Sequence, residues 1–370
     1  MNILMMVPNL YVSRWAPFAT EMAKHVNVTF LVNDPRELCG PAVKKIPFKT
    51  IFDSRNTKHN AIEFPRAADI QRVVGTVGPD LIHAICEPSY PHNQPLLDAA
   101  RVPVTCRLAQ NIYQKWPFPF SNFEKRALDQ LSHVFPVSQI SENLLREKGY
   151  QGPSSIVGNG FDTAVCRPNA KKRDKLVFVG SVIERKGIYD LLEAMTRLRR
   201  RGITEPLYIL GDVDKKNRQR IEGLCKKNKL RDIVLVGRQT HEDMVEYMWT
   251  AKYVIIPSKV SDGSDWSYGK YIKAARVQWS EQFCMVVVEA MACGTPVISS
   301  DSGALPDVIG PNSFKFRAND VDDLESKIYE ALSLESTQYV ELVEWGLDWV
   351  DQFSWRSVCL GFTRAWSELV

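Results

Sequence analysis

No apolar run in this 370-residue sequence approaches the roughly 20 residues that a helix needs to span a bilayer, so any membrane contact is expected to be peripheral. No Lys/Arg run is dense enough, or interleaved with aromatics enough, to suggest nucleic acid. The cysteines (Cys39, Cys86, Cys106, Cys166, Cys225, Cys284, Cys293 and Cys359) include no Cys-x-x-Cys pair. That pattern points to reduced thiols in a cytosol and away from a disulfide frame or a zinc site. A Gly-x-Gly-x-x-Gly fingerprint is absent, and Gly75-x-x-Gly78 and Gly158-Asn159-Gly160 read as turns, which disfavours a dinucleotide site of that type. His83, His92 and His133 share no metal-ligand spacing, so each reads as a surface or structural histidine. The opening MNILMMVPNLYVSR lacks the basic start and small-residue cleavage site of a leader, and Pro8 and Arg14 interrupt it. It reads better as a first buried strand.

What the chain does have is the size and apolar content of two domains, with 45% hydrophobic residues. Its net charge of +4 is unevenly placed: residues 1–170 hold 18 Lys+Arg against 14 Asp+Glu, and the remainder 29 against 29. A mildly basic N-terminal half suits an acidic membrane surface or an anionic substrate, or is simply a solvated face. Short apolar runs alternate with helix-period segments. NILMMVP, a helix from Trp15 to His25 and NVTFLVN open a β-α-β unit, and LIHAIC (81–86), VPVTCRL (102–108), HVFPVS (133–138) and SSIVGN (154–159) supply further candidate strands. After Pro168 the polar cluster NAKKRDK reads as a linker. The alternation then restarts with LVFVG (176–180), PLYILG (206–211), IVLVG (233–237), YVIIP (253–257) and TPVISS (295–300). The α/β pattern, run twice, implies two doubly wound parallel sheets with ligands at the carboxyl ends of the strands, in the cleft between them. The expected domains are 1–168 and 169–350, with a terminal helix at 351–370 returning toward the first. The tail from Ile328 reads as helical, with Trp345, Trp349, Trp355 and Trp366 as packing anchors.

Two stretches carry chemistry. In GSVIERKG (180–187), Gly180 permits a tight turn after a strand, and Arg185 and Lys186 stand at the entry of the next helix beside free N–H groups. This is either an anion site suited to a diphosphate or a solvated basic turn. In EQFCMVVVEAMACGTPVISSDSG (281–303), a helix starting near Met285 leaves Glu281 just outside it and Glu289 about one turn inside. Acids there complement a helix dipole. They also suit vicinal diols, since one carboxylate accepts two hydroxyls, and a nucleotide-sugar carries such diols on its ribose and its hexose.

Glu281-x7-Glu289 followed by AMACGTPVISSDSGALPDVIG resembles the donor-site signature of family 4 retaining glycosyltransferases of the GT-B fold. LVFVGSVIERKG is similar to that family's phosphate segment, IVGNGFDTAVCRP (156–168) to its interdomain stretch, and VLVGRQTHEDMVEYMWTAKYVIIPS (234–258) to its base-binding region. The resemblance implies two facing Rossmann-like domains, the first binding an acceptor and the second a nucleotide-sugar donor. It implies that Glu281 holds donor-sugar hydroxyls and Glu289 the ribose. Backbone amides of Phe283, Cys284 and Met285 would then approach sugar and phosphate beside Gly180 and Ser181. Lys186, aided by Arg185, would neutralise the leaving diphosphate, and Gly237 and Arg238 would line the base pocket. No cofactor or catalytic metal is implied beyond the co-substrate, and the lack of Asp-x-Asp (Asp262 and Asp265 are spaced differently) fits that. The implied partners are a nucleotide-sugar and a glycan or lipid-linked acceptor, with peripheral contact at the cytoplasmic face of a membrane and no nucleic acid.

The sequence departs from the family pattern at Ser181, where an Arg is common, at Cys284, where Gly is usual, and in having Gln110-Asn111 where many members place a His. A subgroup of the same fold resembles this chain in having Gln-Asn-Ile-Tyr together with an upstream Glu-Pro such as Glu87-Pro88. Gln110, Asn111, Glu87 and Arg14 are therefore the expected acceptor or sugar-orienting residues, and Trp15 reads as core. The long loop 259–280 is either a lid, with Trp266, Tyr268, Tyr271 and Trp279 stacking on sugar rings, or a surface insertion without a role. Other readings of the chain are a degenerate GT-B binding or scaffold subunit, a sugar-nucleotide epimerase, and a phosphorylase. The epimerase lacks well-placed histidines, and the phosphorylase lacks a lysine in a pyridoxal-binding context.

Overall fold

A computed structural model of the chain describes residues 1–6, 12–32, 44–47, 67–90, 93–171, 173–261 and 276–370. The chain divides into two compact units. Among the described residues, one holds Met1–Gly160, Arg276 and Trp355–Val370, and the other 161–261 and Val277–Ser354.

The first unit runs β1 (Asn2–Met6), α1 (Val12–Met22), β2 (Asn27–Val32), β3 (Lys44–Pro47), α2 (Ala67–Val77), β4 (Leu81–Ala84), α3 (Asn93–Ala99), β5 (Val104–Leu108), β6 (Tyr113–Lys115), α4 (Phe120–Gln130), β7 (His133–Pro136) and α5 (Gln139–Glu147). Six of these strands form one parallel sheet in the order β3-β2-β1-β4-β5-β7. The inner strands are continuous apolar runs because helices cover both faces, leaving no solvent side for polar alternation. Ile3, Leu4 and Met5 are fully buried, as a first strand requires.

The second unit holds β8 (Lys175–Val179), α6 (Ile188–Arg200), β9 (Leu207–Leu210), α7 (Lys215–Asn228), β10 (Ile233–Gly237), α8 (His241–Thr250), β11 (Ala251–Ile256) and β12 (Arg276–Val277, whose first residue falls in the other unit). It continues with α9 (Met285–Ala292), β13 (Val297–Ser300), α10 (Leu305–Ile309), β14 (Phe314–Phe316), α11 (Val321–Leu332) and α12 (Ser336–Val350). Its sheet is also parallel, ordered β10-β9-β8-β11-β13-β14. Strand order reverses between β8 and β11, and at such a switch point neighbouring crossovers diverge to opposite faces and open a crevice at the strand ends. α6 shows how the sequence builds the covering layer: Ile188, Leu191, Leu192, Met195 and Leu198 recur at helical spacing and are buried, while its Arg197, Arg199 and Arg200 fall at the C-terminal turn, where the dipole favours them.

The terminal helix α13 (Trp355–Ser367) belongs to the first unit and packs on α1, burying Val358, Phe362 and Trp366. Phe18 meets Trp355 and Phe362 at ring separations of 5.3 and 5.9 Å. A Cβ on Gly160 would lie 2.3 Å from the Trp355 ring, so this glycine serves close packing.

The strand expected at 154–159 is absent: only an isolated bridge joins Ser154 to Val134. Ser155 N and Val157 N donate to Val134 O and Pro136 O of β7 at 3.2 and 2.9 Å, and beyond them Arg107 Nη2 donates to Gly158 O and to the Asn159 side-chain Oδ1, each at 2.8 Å. β3 and β14 are edge strands of four and three residues whose lysines and Pro47 hide them from a search for apolar runs. Seven described cysteines carry free thiols. Among the described residues no helix is long and apolar enough to cross a membrane.

Candidate functional site

A charged cluster at the switch point of the second sheet begins where β8 ends. Gly180 turns the chain, Glu184–Lys186 forms a single 3-10 turn, and Gly187 starts α6. Gly187 has φ 71°, and a Cβ there would sit 1.7 Å from Pro257 O, the backbone leaving β11. Only a glycine allows these two segments to approach so closely, and their approach puts Lys186 beside the residues following β11.

Lys186 Nζ donates to Glu281 Oε1 at 2.5 Å, and Ser258 Oγ donates to the same oxygen at 2.6 Å. The Glu281 side chain is only 8% exposed, so its charge is compensated by two donors at close range. Its backbone is fixed too, with Ala304 N donating to Glu281 O at 2.9 Å and Ser302 Oγ accepting from Glu281 N at 3.3 Å. Gly303 makes this possible, because a Cβ there would lie 2.2 Å from Glu281 O. The run SSDSG therefore cradles Glu281. Burial works against the Lys186 ammonium, but the charge and hydrogen bond of Glu281 outweigh it and hold the pKa above the ordinary lysine value.

Trp279 lies beneath the cations, its ring centroid 5.4 Å from both the Arg185 guanidinium and Lys186 Nζ. It is 4% exposed and bridges to Ser261 through two backbone hydrogen bonds. Of the two readings of the loop, sugar stacking by Trp279 does not fit this burial: the ring is a platform for Arg185 and Lys186. Trp266, Tyr268 and Tyr271 lie outside the described residues.

α9 starts at Met285, directly after Glu281–Cys284. Its three consecutive valines are poor helix formers, but Val287, Val288, Ala290 and Met291 are buried, and packing overrides propensity. The helix ends at Cys293, with Gly294 at φ 69°. Among its first-turn N–H groups Val287 N donates to Cys284 O at 3.1 Å, and those of Met285 and Val286 have no intrahelical acceptor. Phe283 is buried edge-on against Phe353 at 5.4 Å.

Cys284 caps α9 with φ 71° and ψ 85°, a left-handed conformation that L side chains adopt at a cost of about 1–2 kcal/mol. This gives a physical reason for glycine at the equivalent place in the family pattern. Burial and the nearby Glu281 charge push the Cys284 thiol up to about 12, so it is neutral near pH 7. Cys284→Gly is expected to relieve the backbone strain, partly offset by roughly 0.4–1 kcal/mol of extra unfolded-chain entropy. The net gain of about 0.5–1 kcal/mol corresponds to a rise of roughly 1–4 °C in thermal midpoint by calorimetry. A fall in midpoint would show that thiol packing outweighs the strain.

Glu289 lies further along α9, 12% exposed, and its Oε1 is 3.1 Å from His241 Nε2 at the first position of α8. Donation to the Glu289 carboxylate raises the His241 pKa above its ordinary value. Gly237 ends β10 at φ 89° and accepts from Gly211 N at 2.9 Å. Arg238 is 80% exposed, with Asp212 3.5 Å away.

In the other unit, Glu87, Gln110 and Asn111 gather past the carboxyl ends of β4 and β5. Glu87 accepts from Ala109 N at 2.9 Å, and burial pushes its pKa up to about 8. Gln110 Nε2 lies 3.3 Å from the Tyr90 hydroxyl, and Asn111 is buried. Arg14 is on α1, and its side chain is outside the described residues. His83 and His133 are both buried, with His83 Nδ1 2.8 Å from Thr105 Oγ1 and His133 Nε2 3.1 Å from Ser155 Oγ. His92 lies outside the described residues.

The structure thus brings Lys186, Arg185 and Glu281 together at the ends of β8 and β11. Sequence reasoning missed Ser258, Ser302 and His241. Ser258 follows a buried strand and carries no pattern of its own. His241 was findable, because Thr240-x-x-Asp243 is a helix-start signal that puts it on the first turn.

Residues 162–344 match the family described as glycosyl transferases group 1. An uncharacterized glycosyltransferase of Methanocaldococcus jannaschii is 27% identical over 249 residues, 67% of this chain and 62% of its own length. An MMP alpha-(1->4)-mannosyltransferase of Mycolicibacterium hassiacum is 27% identical over 259 residues, 67% of this chain and 56% of its own. The chain therefore spans about three-fifths of the length of these curated relatives. The solved structure of Anabaena HepE in complex with UDP-glucose covers 100% of both chains with a TM-score of 0.72 at 14% identity, a likeness of fold. The chain has the two parallel-sheet, Rossmann-like units of the GT-B fold, and its 162–344 segment is similar to the glycosyl transferases group 1.

Proposed function

We propose that the protein is a retaining, family 4-type glycosyltransferase that moves a hexose from a nucleoside-diphosphate sugar to a glycan or lipid-linked acceptor without a catalytic metal. The observation that carries the donor half of this reading is the meeting of Lys186, Arg185 and Glu281 at the switch point of the second sheet, beside the first turn of α9. Two cations and the first-turn N–H groups of Met285 and Val286 suit a diphosphate whose charge grows as the glycosidic bond breaks. Glu281 is held ready for sugar hydroxyls, and Glu289 for the ribose diol. Support comes from the names of the relatives, one a mannosyltransferase, and from UDP-glucose in the structure of HepE. Glu87, with its pKa near 8, is a neutral acid at pH 7 that can donate as well as accept. With Gln110 and Asn111 it forms the acceptor-orienting group of this proposal. The work is cytoplasmic, with peripheral contact where the acceptor is lipid-linked.

Glu289→Ala is expected to abolish measurable nucleotide-sugar binding by calorimetry. Affinity equal to that of the wild type would sink the donor-site assignment. A second reading, a binding subunit that has lost turnover, draws on the Cys284 side chain at a left-handed cap. Tight nucleotide-sugar binding without hydrolysis or transfer would favour it.

A further inference from the structure

The reading of Glu289 as the ribose ligand leaves one problem. A glutamate on a helix turns about three torsions, whereas a vicinal diol needs a carboxylate whose plane is fixed. We propose that His241 is a positioning residue for donor binding, gripping Glu289 Oε1 so that Oε2 is presented to the ribose hydroxyls. The inference rests on the donor-site reading above.

The grip is built from the backbone upward. Thr240 caps α8, its hydroxyl accepting from Asp243 N at 3.1 Å, and this fixes the first turn on which His241 stands. Val245 and Met248 bury the inner face of α8, which packs against α9. His241 Nε2 then reaches Glu289 Oε1 at 3.1 Å from a separate, anchored helix. Among the described residues nothing hydrogen-bonds Oε2. The pair is not sealed, with the imidazole 39% exposed and the carboxylate 12%, so a ligand reaches it without unfolding either helix.

Charge around the ring favours the imidazolium. Glu289 faces it from α9, Glu242 stands next to it on α8, and Asp162 faces it from the segment before β8. Cys166 Sγ lies 4.0 Å from Nε2, and its contact with Cys293 together with burial keeps that thiol protonated. The helix N-terminus opposes a cation at this place, and the first-turn acids Glu242 and Asp243 offset it. The sign follows: the grip is charged and strongest below the raised His241 pKa, and it weakens as pH rises through it. A neutral ring still donates when Nε2 carries the proton, so the loss is partial.

The test is calorimetric titration of UDP, GDP and ADP into the full chain between pH 5.5 and 9.5, for the wild type, His241→Ala, His241→Gln and Glu289→Ala. The wild type is expected to bind one of these nucleotides, with affinity falling severalfold as the ring deprotonates. His241→Ala should bind about tenfold more weakly below the ring's pKa and only a few-fold more weakly above it, with no pH step of its own. His241→Gln, which keeps a neutral donor, should recover most of the affinity and show no pH step, an outcome that general damage to the fold does not produce. Wild-type affinity in His241→Ala, or a pH step that persists in His241→Gln, overturns the positioning role while leaving the donor site standing if Glu289→Ala fails to bind. Undiminished binding by Glu289→Ala, or no binding by the wild type, overturns both.

Discussion

Lys186→Ala is expected to lower kcat by about 10²–10³-fold, the usual loss when one preorganised group that stabilises developing charge is removed. The ammonium sits over the Trp279 ring and against Glu281, and its raised pKa keeps it charged throughout the neutral range. The same substitution leaves Glu281 buried with Ser258 as a remaining donor. Breaking a buried ion pair costs about 3–5 kcal/mol. With Lys186 25% exposed, screening reduces this toward roughly 2 kcal/mol. Loss of rate and loss of fold are separable in the double variant Lys186→Met with Glu281→Gln, which removes both charges together. It should recover most of the thermal stability and none of the rate. Recovery of kcat alongside stability would mean that Lys186 matters only as the counter-ion of Glu281.

Gly187→Ala is expected to be the most damaging single methyl addition in the second unit. At φ 71° an alanine pays about 1–2 kcal/mol for the left-handed backbone. Its Cβ would also stand 1.7 Å from Pro257 O and 2.6 Å from Pro257 C, atoms that no side-chain rotation can move. Either the start of α6 or the segment after β11 must shift, and Lys186 shifts with it. A loss of at least about 3 kcal/mol follows, which for a unit of this size lowers the thermal midpoint by roughly 6–12 °C. Scanning calorimetry checks it, and a midpoint within about 2 °C of the wild type would show that the approach of α6 to the β11 exit yields readily to the added methyl. Activity should fall as well, because the shift moves Lys186 relative to Glu281.

The two sheets were legible because a strand covered on both faces must be apolar throughout, and the runs in β1, β8 and β11 announce themselves. Edge strands escape that logic: β3 is KKIP and β14 is FKF, each with one side free of the constraint. Residues 154–159 look like a strand by composition, and Ser155 N and Val157 N do donate to β7, but the pairing stops where Arg107 binds Gly158 O, a long-range partner that no local pattern reveals. At the site, Lys186, Glu281 and Glu289 stand out because their spacing is fixed by one turn and one helix start. Ser258 and Ser302 do not, since each acts through a contact set by the sheet and not by the chain. The oddity of Cys284 was visible in the sequence, but its cause, a positive φ at the helix cap, appears only in the fold.

The central claim is retaining, metal-free transfer from a nucleoside-diphosphate sugar. The most direct measurement is proton NMR of the anomeric centre during turnover of an α-linked nucleotide-sugar in excess EDTA, once a donor panel of UDP-, GDP- and ADP-sugars has found a substrate. A first-formed α-linked product, with undiminished rate in EDTA, is the expected result. A β-linked first product, or a strict metal requirement, would contradict it.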